Sequence, residues 1–108
     1  MGMEQTVRFR TALPAWTAAR DLLAARGYSF QVRMIDGQLA FPDEQPPDHW
    51  RELRLSTPHG MMITVRREAD KLKFVTWGNA DAGLQEQWHA LARAFAEAGG
   101  GTVETQKT

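Results

Sequence analysis

Three histidines, His49, His59 and His89, are the residues of this chain best suited to metal or proton chemistry, and their spacing argues against it. They lack the short separation and companion carboxylate of a zinc motif such as His-Glu-x-x-His. His59 falls in a predicted turn, and His89 sits beside Trp88 at the rim of an apolar helix face. Asp48-His49, with Asp43 and Glu44 nearby, gathers carboxylates around a single imidazole and reads as a solvated loop. The two serines, Ser29 and Ser56, lie on predicted strand faces, and Ser29 has no adjacent base. There is no Gly-x-Ser-x-Gly elbow, no P-loop and no Gly-x-Gly-x-x-Gly. With no cysteine, a disulfide framework, a thiolate metal site and a cysteine nucleophile are all excluded. The sequence therefore offers no catalytic residue, metal ligand or cofactor motif. An enzyme stays an alternative only because active sites assemble in space.

The basic residues are the more informative set. Thirteen Lys and Arg balance thirteen Asp and Glu, so the net charge is zero. Nine of the bases fall in segments that read as strands: Arg8, Arg10, Arg33, Arg51, Arg54, Arg66, Arg67, Lys71 and Lys73. Those segments, as read, contain one acid, Glu52. One sheet face is therefore expected to be positive, with Arg8, Arg10, Arg33, Arg54 and Arg66 as its core. Such a face attracts a partner of opposite sign. Phosphate contacts by these arginines would make it a nucleic-acid-binding surface. Against that, no aromatic stacking platform is evident on the face, and the near-neutral pI of 6.8 lacks the usual basic footprint. The structural alternative is an ordinary wet sheet face, where Arg and Lys discourage edge-to-edge pairing.

These residues need strands to hold them, and the pattern supplies strands. Thr6–Arg10 alternates, with Val7 and Phe9 on one side. Pro14 opens a helix carrying Trp16, Ala19, Leu22 and Leu23 at helical spacing, and Gly27 closes it. Tyr28–Ile35 is a strand with Tyr28, Phe30, Val32 and Met34 on one face. Asp36-Gly37 predicts a type I′ hairpin that sets Met34 opposite Leu39 and Val32 opposite Phe41. Pro42–Asp48 reads as an exposed acidic loop. A second hairpin, turning at Pro58-His59-Gly60, sets Leu55 opposite Ile63 and Leu53 opposite Val65. Lys71–Trp77 is apolar in both phases, Leu72 and Phe74 in one and Val75 and Trp77 in the other. Asp81 is a candidate N-cap for a helix with Leu84, Trp88, Leu91 and Phe95 on its apolar face. Gly99-Gly100-Gly101 stops that helix, and 102–108 reads as a polar tail.

The order strand, helix, five strands, helix predicts a two-layer α+β fold: a twisted, mostly antiparallel sheet with both helices on one face. It resembles TATA-binding-protein-like and helix-grip folds in element order alone. Residues 1–98 form the expected single domain and 99–108 a flexible tail. No apolar run spans a bilayer and Met1–Thr11 has no signal-peptide core, so a bacterial cytoplasm is expected, with no membrane partner. The functional expectation is a non-catalytic domain that binds a protein partner or forms a homodimer. Met62, Val75, Trp77 and Trp50 are its candidate interface, because partly exposed aromatics and apolar strand residues anchor interfaces. The alternatives are nucleic-acid binding by the basic face, and a small-ligand pocket lined by Phe30, Phe74, Trp88 and Phe95 between the sheet and the second helix.

Overall fold

In the computed structural model, which describes residues 3–41, 44–76 and 82–105, seven strands form one antiparallel sheet and two helices lie along it. The elements are β1 (Met3–Arg8), α1 (Trp16–Ala25), β2 (Gln31–Ile35), β3 (Gln38–Leu39), β4 (Glu52–Ser56), β5 (Met62–Glu68), β6 (Lys71–Thr76), α2 (Ala82–Gly99) and β7 (Thr102–Thr105). The strand order is β3-β2-β4-β5-β6-β1-β7. Strands β4 to β6 form a meander, while β2 lies between β3 and β4. The first strand of the chain then joins on the far side of β6.

The α+β architecture is the expected one. Val7, Leu53, Leu55, Ile63, Val65, Leu72 and Phe74 point to the helices and are buried. They meet Trp16, Ala19 and Leu23 of α1 and Leu84, Trp88, Leu91 and Phe95 of α2. The ring of Phe95 joins the layers, with centroids 5.9 Å from Trp16 and 5.5 Å from Phe74. Trp88 Nε1–H donates to the Phe74 carbonyl at 2.9 Å, so its polar edge is satisfied inside the core. Phe74, Trp88 and Phe95 are buried core residues packed together where a ligand pocket was expected.

Both hairpin registers follow the turn chemistry. Met34 pairs with Leu39 across Asp36-Gly37, whose φ angles of 51° and 82° are those of a type I′ turn. Leu55 pairs with Ile63 and Leu53 with Val65, around a loop that places Gly60 at φ 81°. In strand β6, Leu72 and Phe74 take the helix side and Val75 the other.

Three features depart from expectation. First, β2 carries a bulge between Val32 and Met34 against β4. Val32 stays in the core opposite Leu55, but Met34 pairs with Arg54 on the uncovered face, and Leu39 follows it outward. A bulge adds one residue to one strand and resets its alternation. The pairing of Val32 with Phe41 does not form. Second, the chain beyond Gly101 is not simply a tail. Thr102–Thr105 pairs with β1 as an eighteen-residue helix returns the chain to the sheet. Gly100 at φ 66° and a bond from Gly101 N–H to Ala96 C=O make the sharp helix stop. Third, β1 begins at Met3 and β5 runs to Glu68, so more acids enter the sheet than the sequence pattern indicated. The Asp81 N-cap lies outside the described residues.

Candidate functional site

Both helices cover one sheet face; the other is uncovered among the described residues. Strand pairing sets its residues in rows. One row runs Leu39, Met34, Arg54, Thr64, Val75 and Glu4. The next runs Glu52, Arg66, Lys73, Thr6 and Glu104. Glu68, Lys71, Arg8 and Thr102 follow. Of the five expected basic residues, Arg8, Arg33, Arg54 and Arg66 share this face. Arg10 lies beyond the end of β1.

The face is not one-signed. Glu4, Glu52, Glu68 and Glu104 stand among the bases. Arg8 Nε lies 2.6 Å from Glu104. Glu52 bridges Arg54 at 3.4 Å and Arg66 at 3.3 Å. Lys73 reaches Glu68 at 3.2 Å and Glu4 at 3.8 Å. Such exposed pairs add little stability, but they cancel the local charge. Arg33 is the exception among the four: no described carboxylate pairs with it, and its Nε–H donates to Ser56 Oγ at 3.0 Å.

The expected interface residues separate. Met62 lies on the uncovered face and is 38% exposed. Val75 is on the same face but only 6% exposed. Trp50 is on the helix side, 1% exposed, with the Arg67 guanidinium 4.7 Å from its ring centroid and Phe95 edge-on at 6.4 Å. It is a core residue and not an interface anchor. Burial holds the Arg67 pKa below its ordinary value. Trp77 lies outside the described residues.

Among the described residues, the most exposed large apolar side chains are elsewhere, at the β3 end of the sheet. Leu39 is 86% exposed and Phe41 76%. They flank an edge that is only partly closed. Strand β3 pairs with β2 at Met34 and Ile35, and Ala40 N–H adds one bond to Arg33 C=O. From Ser29 to Gln31, no described strand lies against the outer side of the chain. That stretch runs between two clefts. On the helix side, a cleft of about 450 Å³ is lined by Trp16, Leu23, Ala24, Tyr28, Ser29 and Phe30, among others. On the uncovered side, Ser29, Gln31, Arg33, Ser56, Thr57 and Pro58 line a smaller cleft of about 200 Å³.

The frame behind this edge is fixed. Gly27 at φ 83° ends α1, and Tyr28 N–H returns to Leu23 C=O at 2.9 Å. Tyr28 Oη–H donates to Glu86 at 2.9 Å, which raises the phenol pKa. Asp36 Oδ1 accepts from the N–H groups of Arg51 and Glu52, at 2.7 and 2.9 Å, tying the β2–β3 turn to the start of β4. Those bonds, that from Glu52 first, hold the Asp36 carboxyl below its ordinary pKa.

Leu39 and Phe41 are not singled out as site residues by sequence; Phe30 enters only as a lining residue of the expected ligand pocket, and Ser29 only as a serine with no adjacent base. Leu39 and Phe41 sit in phase with the strand pattern and so read as core. Only the bulge, formed against a strand distant in sequence, turns Leu39 outward. No family model, curated protein or solved structure matches the chain. Among the described residues no group of His, Asp and Glu is arranged to hold a metal ion, and no helix is long and apolar enough to cross a membrane.

Proposed function

We propose that this is a non-catalytic binding domain of the cytoplasm, and that it takes a protein partner on the β3–β2 side of its sheet. One observation carries the reading: the two most exposed large apolar residues among those described, Leu39 and Phe41, lie beside a strand edge on which no described strand pairs over Ser29–Gln31. Apolar residues exposed together mark interaction sites more often than isolated ones do. An open strand edge carries backbone donors and acceptors that a partner strand satisfies. The interleaved acids on the sheet face lend little support to phosphate binding there, since Arg8, Arg54 and Arg66 already have carboxylate partners.

The test is an enrichment of interacting proteins on the parent chain and on Leu39→Glu/Phe41→Glu, followed by reconstitution with the purified candidate. The expected result is a reconstituted complex that the double variant loses at least tenfold in affinity, with its fold unchanged by circular dichroism. Sedimentation of both chains over a wide concentration range separates a homodimer from a second protein. A complex that both chains form equally well would place the partner elsewhere.

A further inference from the structure

Resting on that reading, we infer that the partner presents an extended segment that adds as a strand to the outer edge of Ser29–Gln31, with an apolar side chain directed to the helix side and an acidic one toward Arg33. Three observations meet at this stretch. The chain is extended here, and among the described residues no strand lies on its outer side from Ser29 to Gln31; the outer side of Arg33 is already met by Ala40 N–H. Its alternation puts Tyr28, Phe30 and Val32 on the helix side and Ser29, Gln31 and Arg33 on the other. Each side also opens into a cleft, and Ser29 lines both.

An added strand alternates in the same way, so its side chains point by turns to the two clefts. The helix-side cleft is walled by Trp16, Leu23, Ala24 and Phe30, which suits a branched aliphatic or aromatic side chain. The other cleft holds Arg33, the one arginine of the uncovered face without a carboxylate among the described residues. A carboxylate placed there meets a guanidinium whose described side-chain partner is a neutral hydroxyl, and charge-assisted bonds are roughly twice as strong as neutral ones. Main-chain bonds supply affinity in this mode and the alternating pockets supply specificity. The bulge at Arg33 limits the added strand at one end, because pairing does not continue evenly past a bulge. The segment is therefore short. A second copy of this chain fits less well, since its own β2 offers Gln31 and Arg33 where an acid is wanted.

A displayed library of random linear peptides, selected on the parent chain, tests this. Two variants at exposed positions act as counter-screens: Arg33→Glu, and Ala24→Trp, which fills the helix-side cleft. Enriched peptides are expected to alternate apolar and acidic residues and to lack proline. Each variant should weaken them about tenfold or more, and Arg33→Glu should gain affinity when Lys replaces the acid. Thermal melts confirm that both variants fold. Failure to enrich any peptide, or enrichment indifferent to both variants, overturns the inference. If a partner still binds through Leu39 and Phe41, the binding reading survives that failure. Self-association of the parent abolished by Ala24→Trp would instead make the occupant a second copy and overturn the acidic-segment proposal.

Discussion

At one edge of the sheet, β7 lies along β1 over Gln5–Arg8, and its one apolar side chain, Val103, packs against the core. The turn into it is filled by backbone: a Cβ on Gly101 would meet the Arg8 carbonyl oxygen at 2.7 Å, and one on Gly99 the Phe9 ring at 2.7 Å. At the other edge, β3 covers β2 at two residues, then leaves with Leu39 and Phe41 exposed. The first edge ends in a four-residue strand anchored by close packing and Gly, and no large apolar side chain is exposed on its described residues. The second is guarded only by a short strand and a bulge. Natural sheets blunt their edges in both ways, but among the described residues the second edge alone sets large exposed apolar side chains beside its free donors and acceptors. On the proposed reading, β7 is structural and the β2 edge is the site of recognition.

Substitutions should sort along that contrast. The largest loss is expected at the core that backs both edges. Trp88→Ala removes a buried indole together with its bond to the Phe74 carbonyl, at a cost of ~3–5 kcal/mol. Urea unfolding measures it, and a loss under ~1 kcal/mol would mean that the α2 face is not packed as described. Next is the β7 edge. Gly101→Ala forces a methyl against the backbone of β1 and should cost ~1–3 kcal/mol. A neutral result would show that the β1–β7 seam yields easily, and the contrast between edges would weaken.

Smaller is a pH effect at the open edge. The folded-state pKa of Asp36 is depressed by its two backbone bonds. Its contribution to stability is therefore present above the unfolded carboxyl pKa, near 3.8, and is lost as pH falls through the lower folded value. Asp36→Asn, which tolerates the positive φ, should flatten the acid limb of the stability profile and leave the neutral limb parallel. An unchanged acid limb would remove Asp36 as the tie between turn and β4. Smallest of all, Leu39→Ser should alter stability by no more than ~0.5 kcal/mol, because the side chain is almost wholly exposed. A larger loss in denaturant would make Leu39 part of the fold and not of a binding surface.

Much of this fold was legible in local residues. Asp36-Gly37 and Pro58-His59-Gly60 each demand a turn geometry, and the alternating apolar residues beside them agree with the resulting registers. The spacing of Leu84, Trp88, Leu91 and Phe95 likewise has one sensible reading. The bulge at Arg33 was not legible, because it arises from pairing between β2 and β4, across a proline-rich loop. Strand β7 was hidden for a similar reason: Thr102, Glu104 and Thr105 look like a solvated tail until β1 supplies partners. The charge of the uncovered face was misjudged because Glu4, Glu68 and Glu104 sit at strand positions that the pattern left outside. The candidate site depends on strand order above all. That order leaves β2 nearly at an edge and places β6, with its two-phase apolar pattern, inside the sheet.

Amide chemical-shift mapping with a selected peptide tests the central claim most directly, because it reads both edges in one experiment. Shifts should concentrate at Ser29–Arg33 and at Arg20 and Ala24 of α1, while Thr102–Thr105 stays unchanged. Shifts centred on β7, or spread over Arg8, Arg54 and Arg66 on the uncovered face, would contradict the assignment of recognition to the β2 edge.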